Sequence, residues 1–329
     1  MDSVRRLLAS IDGWQRRHRA PAVAYAVIKK FGDDQANQYV VGLGWYGFTA
    51  IYPLLLVVVT VFAFIGAASL GTGIVSTLHR FPVVGSMFNP AHPSSSLHGS
   101  TVGLVIGLVL LLYGAQGVTQ TAQQAQAQVW NIPMVERPGF VSRLVRSLLA
   151  LVTIGAAFVV NSVAGAYATS SGQPLGTRFG VIAGMLLANW AFYAATFRAL
   201  APKVVAGRAL LPGAALGALG FTLLITVGTG LIQHQLRDTS ATYGQFGAVI
   251  GLVGFLLLLA KISLYGAELN PVLSRHLWPR SLRSDQPTDA DRRVLQYLAR
   301  QQATRPEERI GVEIADPGRE PHGAPVAHP

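Results

Sequence analysis

Six intervals of this 329-residue chain carry no formal charge: 35–79, 81–135, 147–177, 179–197, 209–236 and 239–260. Each contains an apolar run long enough, at about 1.5 Å per helical residue, to cross a hydrocarbon core of about 30 Å. Inside a bilayer the backbone must satisfy its own hydrogen bonds, so such runs fold as α-helices. The expected fold is all-α, a polytopic membrane bundle with six transmembrane helices. The spans cover about 40–66, 101–118, 147–169, 179–198, 209–232 and 244–266.

The basic residues between these intervals alternate from abundant to scarce. Seven precede the first span, Lys29 and Lys30 among them. Arg137, Arg143 and Arg146 follow the second span, Arg198, Lys203 and Arg208 follow the fourth, and nine arginines follow the sixth. The opposite side has only Arg80, Arg178 and Arg237, so the ratio is twenty-two to three, with Lys261 left inside the sixth span. Basic loops stay in the cytoplasm, which places both termini there, as an even number of spans also requires.

Three regions follow: a cytoplasmic or interfacial segment at 1–39, the membrane domain at 40–268, and a cytoplasmic tail at 269–329. In the first, Val4, Leu7, Leu8, Ile11 and Trp14 recur at helical spacing among arginines, the pattern of an amphipathic helix on an anionic leaflet. Pro21 opens a second helix carrying Val23, Val27 and Phe31. In the tail, Thr288 or Asp289 caps a helix through Arg300 with Val294, Leu295 and Leu298 on one face. Beyond about residue 311, Pro, Gly and charge leave little to bury, and disorder is expected.

Composition narrows the function. Charged residues are 12% of the chain, about half the share in soluble domains, and the net charge of +11 sits at membrane-flanking positions. Anionic head groups therefore account for it better than nucleic acid, which is not an expected partner. With no cysteine, disulfides, iron–sulfur clusters and thiol nucleophiles are excluded. The eight histidines form no metal-ligand spacing, and no phosphate loop or nucleophile elbow is present. No cofactor, metal or enzymatic activity is expected.

Polar groups inside apolar spans are the candidate functional residues. Gln116, Gln120, Gln123 and Gln124 share one helix face; they either carry the second helix out of the membrane or line a cavity mouth. Asn161 and Asn189 require partners across helices. Lys261 either snorkels to the inner head groups or offers a cationic site to an anionic solute. Glu268, seven residues further, is a helix-end carboxylate for a neighbouring arginine or backbone donor. Pro53 removes a backbone bond and is the candidate hinge. Four Gly-x-x-x-Gly pairs within spans (Gly103/Gly107, Gly180/Gly184, Gly213/Gly217 and Gly247/Gly251) permit close packing, although 35 glycines produce about that many by chance.

These elements resemble a known family. The stretch Phe48–Leu56, the turn Val129-Trp130-Asn131-Ile132-Pro133 with Arg137-Pro138, and Leu211-Pro212-Gly213-Ala214 are similar to the BrkB/YihY (YhjD-like) inner-membrane family. So are Tyr243-Gly244 through Ile250 and Gly266-Ala267-Glu268-Leu269-Asn270. The resemblance covers about residues 20–275 and departs from the family pattern at Phe255, where an aromatic such as Trp is usual nearby, and at Lys261. It implies a six-helix protein of the bacterial inner membrane, discussed as an envelope or virulence factor and as an exporter or lipid-related transporter. The older label of ribonuclease BN finds no nuclease metal constellation here. The expected function is a permease-like transporter of an anionic or amphipathic solute, with membrane lipids as partners. The alternative is a non-transporting scaffold that organises lipids or proteins.

Overall fold

The computed structural model of the chain describes residues 2–64, 101–133, 175–283 and 286–305, with isolated positions at 145, 149, 153, 308 and 310. Side chains are described for fewer of these, and not for 226–248. All regular structure among the described residues is helical: α1 Asp2–Arg17, α2 Arg19–Asp33, α3 Ala36–Phe64, α4 Thr101–Val129, α5 Leu175–Leu200, α6 Leu211–Ser274 and α7 Asp289–Gln301. A short 3-10 turn, Gly207–Leu210, leads into α6. Among the described residues four stretches are long and apolar enough to cross a membrane: Val105–Val129, Phe179–Leu200, Gly207–Ile225 and Val249–Ser274. They correspond to the second, fourth, fifth and sixth expected spans. The first falls on α3, which runs through Pro53 without a break. The third span, Asn161, the loop at 67–100 and the tail beyond 311 lie outside the described residues.

α6 is helical over its whole length, yet it cannot be straight. Residues 213 and 266 would stand roughly 80 Å apart on a straight helix. Instead a Cβ on Gly213 would come within 2.0 Å of the Gly266 carbonyl oxygen, and one on Gly220 within 2.5 Å of Ile262. The chain therefore doubles back between 225 and 249, and its two arms pack antiparallel, as the short turn between the fifth and sixth spans implies. The approach is so close because neither glycine carries a side chain, and Asn270 Oδ1 accepts from the Gly213 N–H at 2.7 Å. Of the Gly-x-x-x-Gly pairs, Gly213/Gly217 sits in an interface, whereas Gly180/Gly184 has nothing within 4 Å of either Cβ position.

α3 and α4 form a second antiparallel pair. Gly42 meets Thr121, Gly117 meets Tyr46 and Gly114 meets Ala50, with steadily opposed numbering. α2 and α3 follow one another down the flank of the second arm of α6: Val27 packs near Val272, Phe31 stacks on Tyr265, Val40 lies beside Ala260 and Leu264, and Gly44 faces Leu257. α5 packs on the first arm through Asn189–Thr222 and through Tyr193 against Gly217. Large apolar side chains point outward, including Trp45, Val109, Phe179 and Leu187, as lipid-facing surfaces require.

At the end of the bundle where α2 meets the close of α6, α1 and α7 form a polar cap. α7 has a capping box: Thr288 Oγ1 accepts from the Asp291 N–H, and the Asp291 carboxylate accepts from the Thr288 N–H. Its Val294 is buried and Leu295 exposed. α1 docks through Asp12, Gln15 and Arg16, leaving Ile11 and Trp14 more than half exposed.

Candidate functional site

Two helix endings create the site. α4 stops in a Schellman turn: Ile132 N–H donates to the Ala127 carbonyl, Asn131 N–H donates to Gln128, and Asn131 takes the left-handed conformation at φ 48°. α6 stops the same way at His276, φ 53°, with Leu277 N–H on the Val272 carbonyl. Asparagine tolerates that backbone better than most residues, and its side chain is then free to turn inward. The turn also leaves the Val129 carbonyl without a helical donor.

Lys30 fills that vacancy. Its ammonium donates to the Val129 carbonyl at 2.8 Å, to Glu268 Oε2 at 3.0 Å and to Asp34 Oδ2, so all three N–H groups are used. Lys30, Asp34 and Glu268 are each 0% exposed. Asn131 Nδ2 donates to Asp34 Oδ1 and to Gln301 Oε1, both at 3.1 Å, and Gln301 donates onward to Gln128. Arg275 is held between Trp130 and Tyr297, 5.4 and 4.6 Å from the ring centroids. The cluster thus ties α2, the α4 turn, the end of α6 and α7 together.

Burial sets the chemistry. Loss of water pushes the Asp34 carboxyl above its ordinary range, although Lys30 and Asn131 act in the opposite direction. Burial acts on Lys30 to favour the neutral amine, but the charges of Glu268 and Asp34 outweigh it and raise its pKa.

One residue earlier in each case, the same helix builds a second cluster. Lys29 donates to Asp291 Oδ1 at 2.9 Å and to the Ser281 carbonyl at 2.8 Å. Asp33 accepts from Arg280 Nη2 at 2.8 Å. Asp291 also accepts from Arg280 Nε, from the backbone N–H groups of Ser281 and Thr288, and from the Thr288 hydroxyl. Burial alone would raise its pKa; the Arg280 guanidinium and these donors overcome that and hold it far below the usual carboxylate range.

Of the residues singled out in the sequence, only Glu268 enters a charged cluster, and its cation is a lysine 238 positions away rather than an arginine. Gln116 and Gln120 are exposed, while Gln123 and Gln126 on the same helix are buried. Asn189 is 2% exposed and donates to Thr222 Oγ1 at 3.2 Å. Lys261 is exposed, although it lies seven residues before the buried Glu268 and on nearly the same face of the helix. In the sequence Lys30 counts only among the basic residues before the first span, and Asp34 is not singled out. A usable signal existed: Lys29-Lys30 followed at i+4 by Asp33-Asp34 makes two ion-pair stripes about 100° apart on one helix.

The family model "Virulence factor BrkB" matches residues 27–291, an interval that contains Lys30, Asp34, Glu268 and Asp291. The chain is similar to the inner membrane protein YhjD of Escherichia coli (strain K12), with 23% identity over 77% of this chain and 82% of the relative. It is likewise similar to an uncharacterised protein of Dickeya dadantii (strain 3937), with 25% identity over 78% of this chain and 85% of that protein. No solved structure matches. A match over most of the chain places this protein in the BrkB virulence-factor family.

Proposed function

We propose that this family member is a six-span permease of the bacterial inner membrane, with both termini cytoplasmic. It moves a small anionic or amphipathic solute without hydrolysing ATP and without enzymatic chemistry. The observation that carries the reading is a set of buried or half-buried polar side chains on three membrane helices. Thr119, Gln123 and Gln126 lie on α4, Asn189 and Tyr193 on α5, and Thr222 and Ser263 on α6. Thr119 stands ten residues from the end of α4, about 15 Å or half of a hydrocarbon core. Polar groups at that depth are costly in lipid and are tolerated where they pair or line a cavity. Exposed Arg198, Lys203 and Arg208 at the same end would draw anions toward it. The inner-membrane location is supported by the similarity to the inner membrane protein YhjD of E. coli and by the apolar helices. Anionic lipids are the proposed partners of α1, whose Ile11 and Trp14 face outward beside arginines.

Reconstitution into liposomes tests this: flux of an organic anion or amphipathic lipid above that of empty vesicles supports the permease, and its absence across such candidates removes it. A second reading, a lipid-organising scaffold, is favoured by one specific feature. Asn189 pairs with Thr222, and Tyr193 with Ser263 at 2.9 Å, so part of this polar set is satisfied by protein partners. Since the chain has no cysteine, Gln123→Cys and Asn189→Cys can be probed directly. Reaction with small hydrophilic thiol reagents favours the permease, and inertness favours the scaffold.

A further inference from the structure

The Lys30 cluster holds a lysine against two carboxylates, all three fully buried. The Asp34 and Glu268 carboxylates both accept from the one Lys30 ammonium, which holds them close together. Two carboxylates so close do not both ionise readily, because their repulsion is unscreened and each has lost its hydration. The donor supply points the same way. Asp34 has a donor on each oxygen, from Lys30 and Asn131. Among the described residues Glu268 has one donor only, on Oε2, and its buried Oε1 has no hydrogen-bond partner. The other groups facing the pair are the Val129 carbonyl and Asn131 from the α4 turn, Gln301 from α7, and Arg275 from the end of α6. Arg275 is committed to the Trp130 and Tyr297 rings and makes no hydrogen bond to either carboxylate among the described residues.

We propose that Asp34 and Glu268 together bind a single exchangeable proton, and that its release loosens the clamp joining α2, the α4 turn, the end of α6 and α7. The bond formed is O–H on one carboxyl, donated to the other; the proton comes from and returns to solvent when the clamp opens. Loss of the proton leaves two buried negative charges facing Lys30, and relief comes from moving Glu268 on α6 away from Asp34 on the α2–α3 connection. The proton site stands on the cluster geometry alone. Its use as the coupling ion of a permease rests on the function proposed above.

The test is pH-dependent infrared difference spectroscopy on the purified full-length chain, from mildly acid to mildly alkaline pH. A C=O band of a neutral carboxylic acid, shifted in heavy water and lost as pH rises, is expected in the native protein. It should disappear in both Glu268→Gln and Asp34→Asn, since either change leaves one carboxylate matched to Lys30. If no such band titrates in the native chain, or if it persists in both variants, the proposal is overturned; the native spectrum decides even if a variant fails to fold. Flux separates the two layers. A native flux that varies with pH and a Glu268→Gln flux that does not would tie the proton to transport. A titrating band with no flux for any solute would keep the proton site and remove the permease.

Discussion

α2 presents two charge clusters built from the same residue types one position apart, and they behave as opposites. Lys29 and Asp33 look toward Asp291, Arg280 and the backbone of Ser281 and Thr288, where donors outnumber acceptors and side chains reach the surface. Lys30 and Asp34 look inward, where donors run short and Glu268 Oε1 is left bare. A rotation of about 100° along a helix is thus enough to turn an ion pair from a fastening into a site under tension. In the first cluster the Asp291 carboxylate is well supplied with donors, which rigidifies; the second has one acid too many for its cation.

The sharpest way to break this contrast is to remove each lysine in turn. Lys30→Met strands two buried carboxylates and should cost about 3–5 kcal/mol, read as a lower thermal unfolding midpoint in detergent. Asp291→Asn comes next. Losing the charge-assisted bonds from Arg280 and Lys29 should cost about 1.5–3 kcal/mol, with faster proteolysis of the 280–300 segment as the readout.

The pH responses should also have opposite signs. Asp291, whose pKa is depressed on folding, contributes stability that is present above the ordinary carboxylate pKa and lost as pH falls through its lowered value. Asp34, whose pKa is raised, contributes stability that is full below the ordinary value and lost as pH rises through the folded one. Hydrogen exchange should therefore open α7 first on the acid side and the α2–α3 connection first on the alkaline side. The same order on both sides would refute the comparison.

Smaller effects sharpen it. Thr288→Ala removes the cap of α7 and should cost about 1 kcal/mol by the same thermal measurement. Lys29→Met should cost less than about 1 kcal/mol, because Arg280 still serves Asp291 and the site is partly solvated. A Lys29→Met loss equal to that of Lys30→Met would mean that burial is not what separates the two clusters.

Much of the membrane architecture was readable because lipid imposes a rule that sequence obeys locally: long uncharged apolar runs become helices. The paired arms of α6, the capped helix at 289–301 and the opening of α2 near Pro21 follow from such local signals. The site was less accessible. Glu268 was noticed as a charge at a helix end, but nothing near it in sequence announces a lysine 238 positions earlier. Lys29 and Lys30 were indistinguishable as contributors to topology. Gln116 and Gln120 were placed with the functional candidates, but the helix turns them outward and buries Gln123 and Gln126.

By itself, then, the order of residues determined a helical membrane chain with its positive charges concentrated in alternate connections, since hydrophobicity and charge act residue by residue against lipid and water. Only the tertiary structure decided which of two adjacent lysines is buried, and that Asp34 and Glu268 share it. The reason is physical: a buried charge is defined by what surrounds it, and here those surroundings come from four segments that meet only when the bundle has closed.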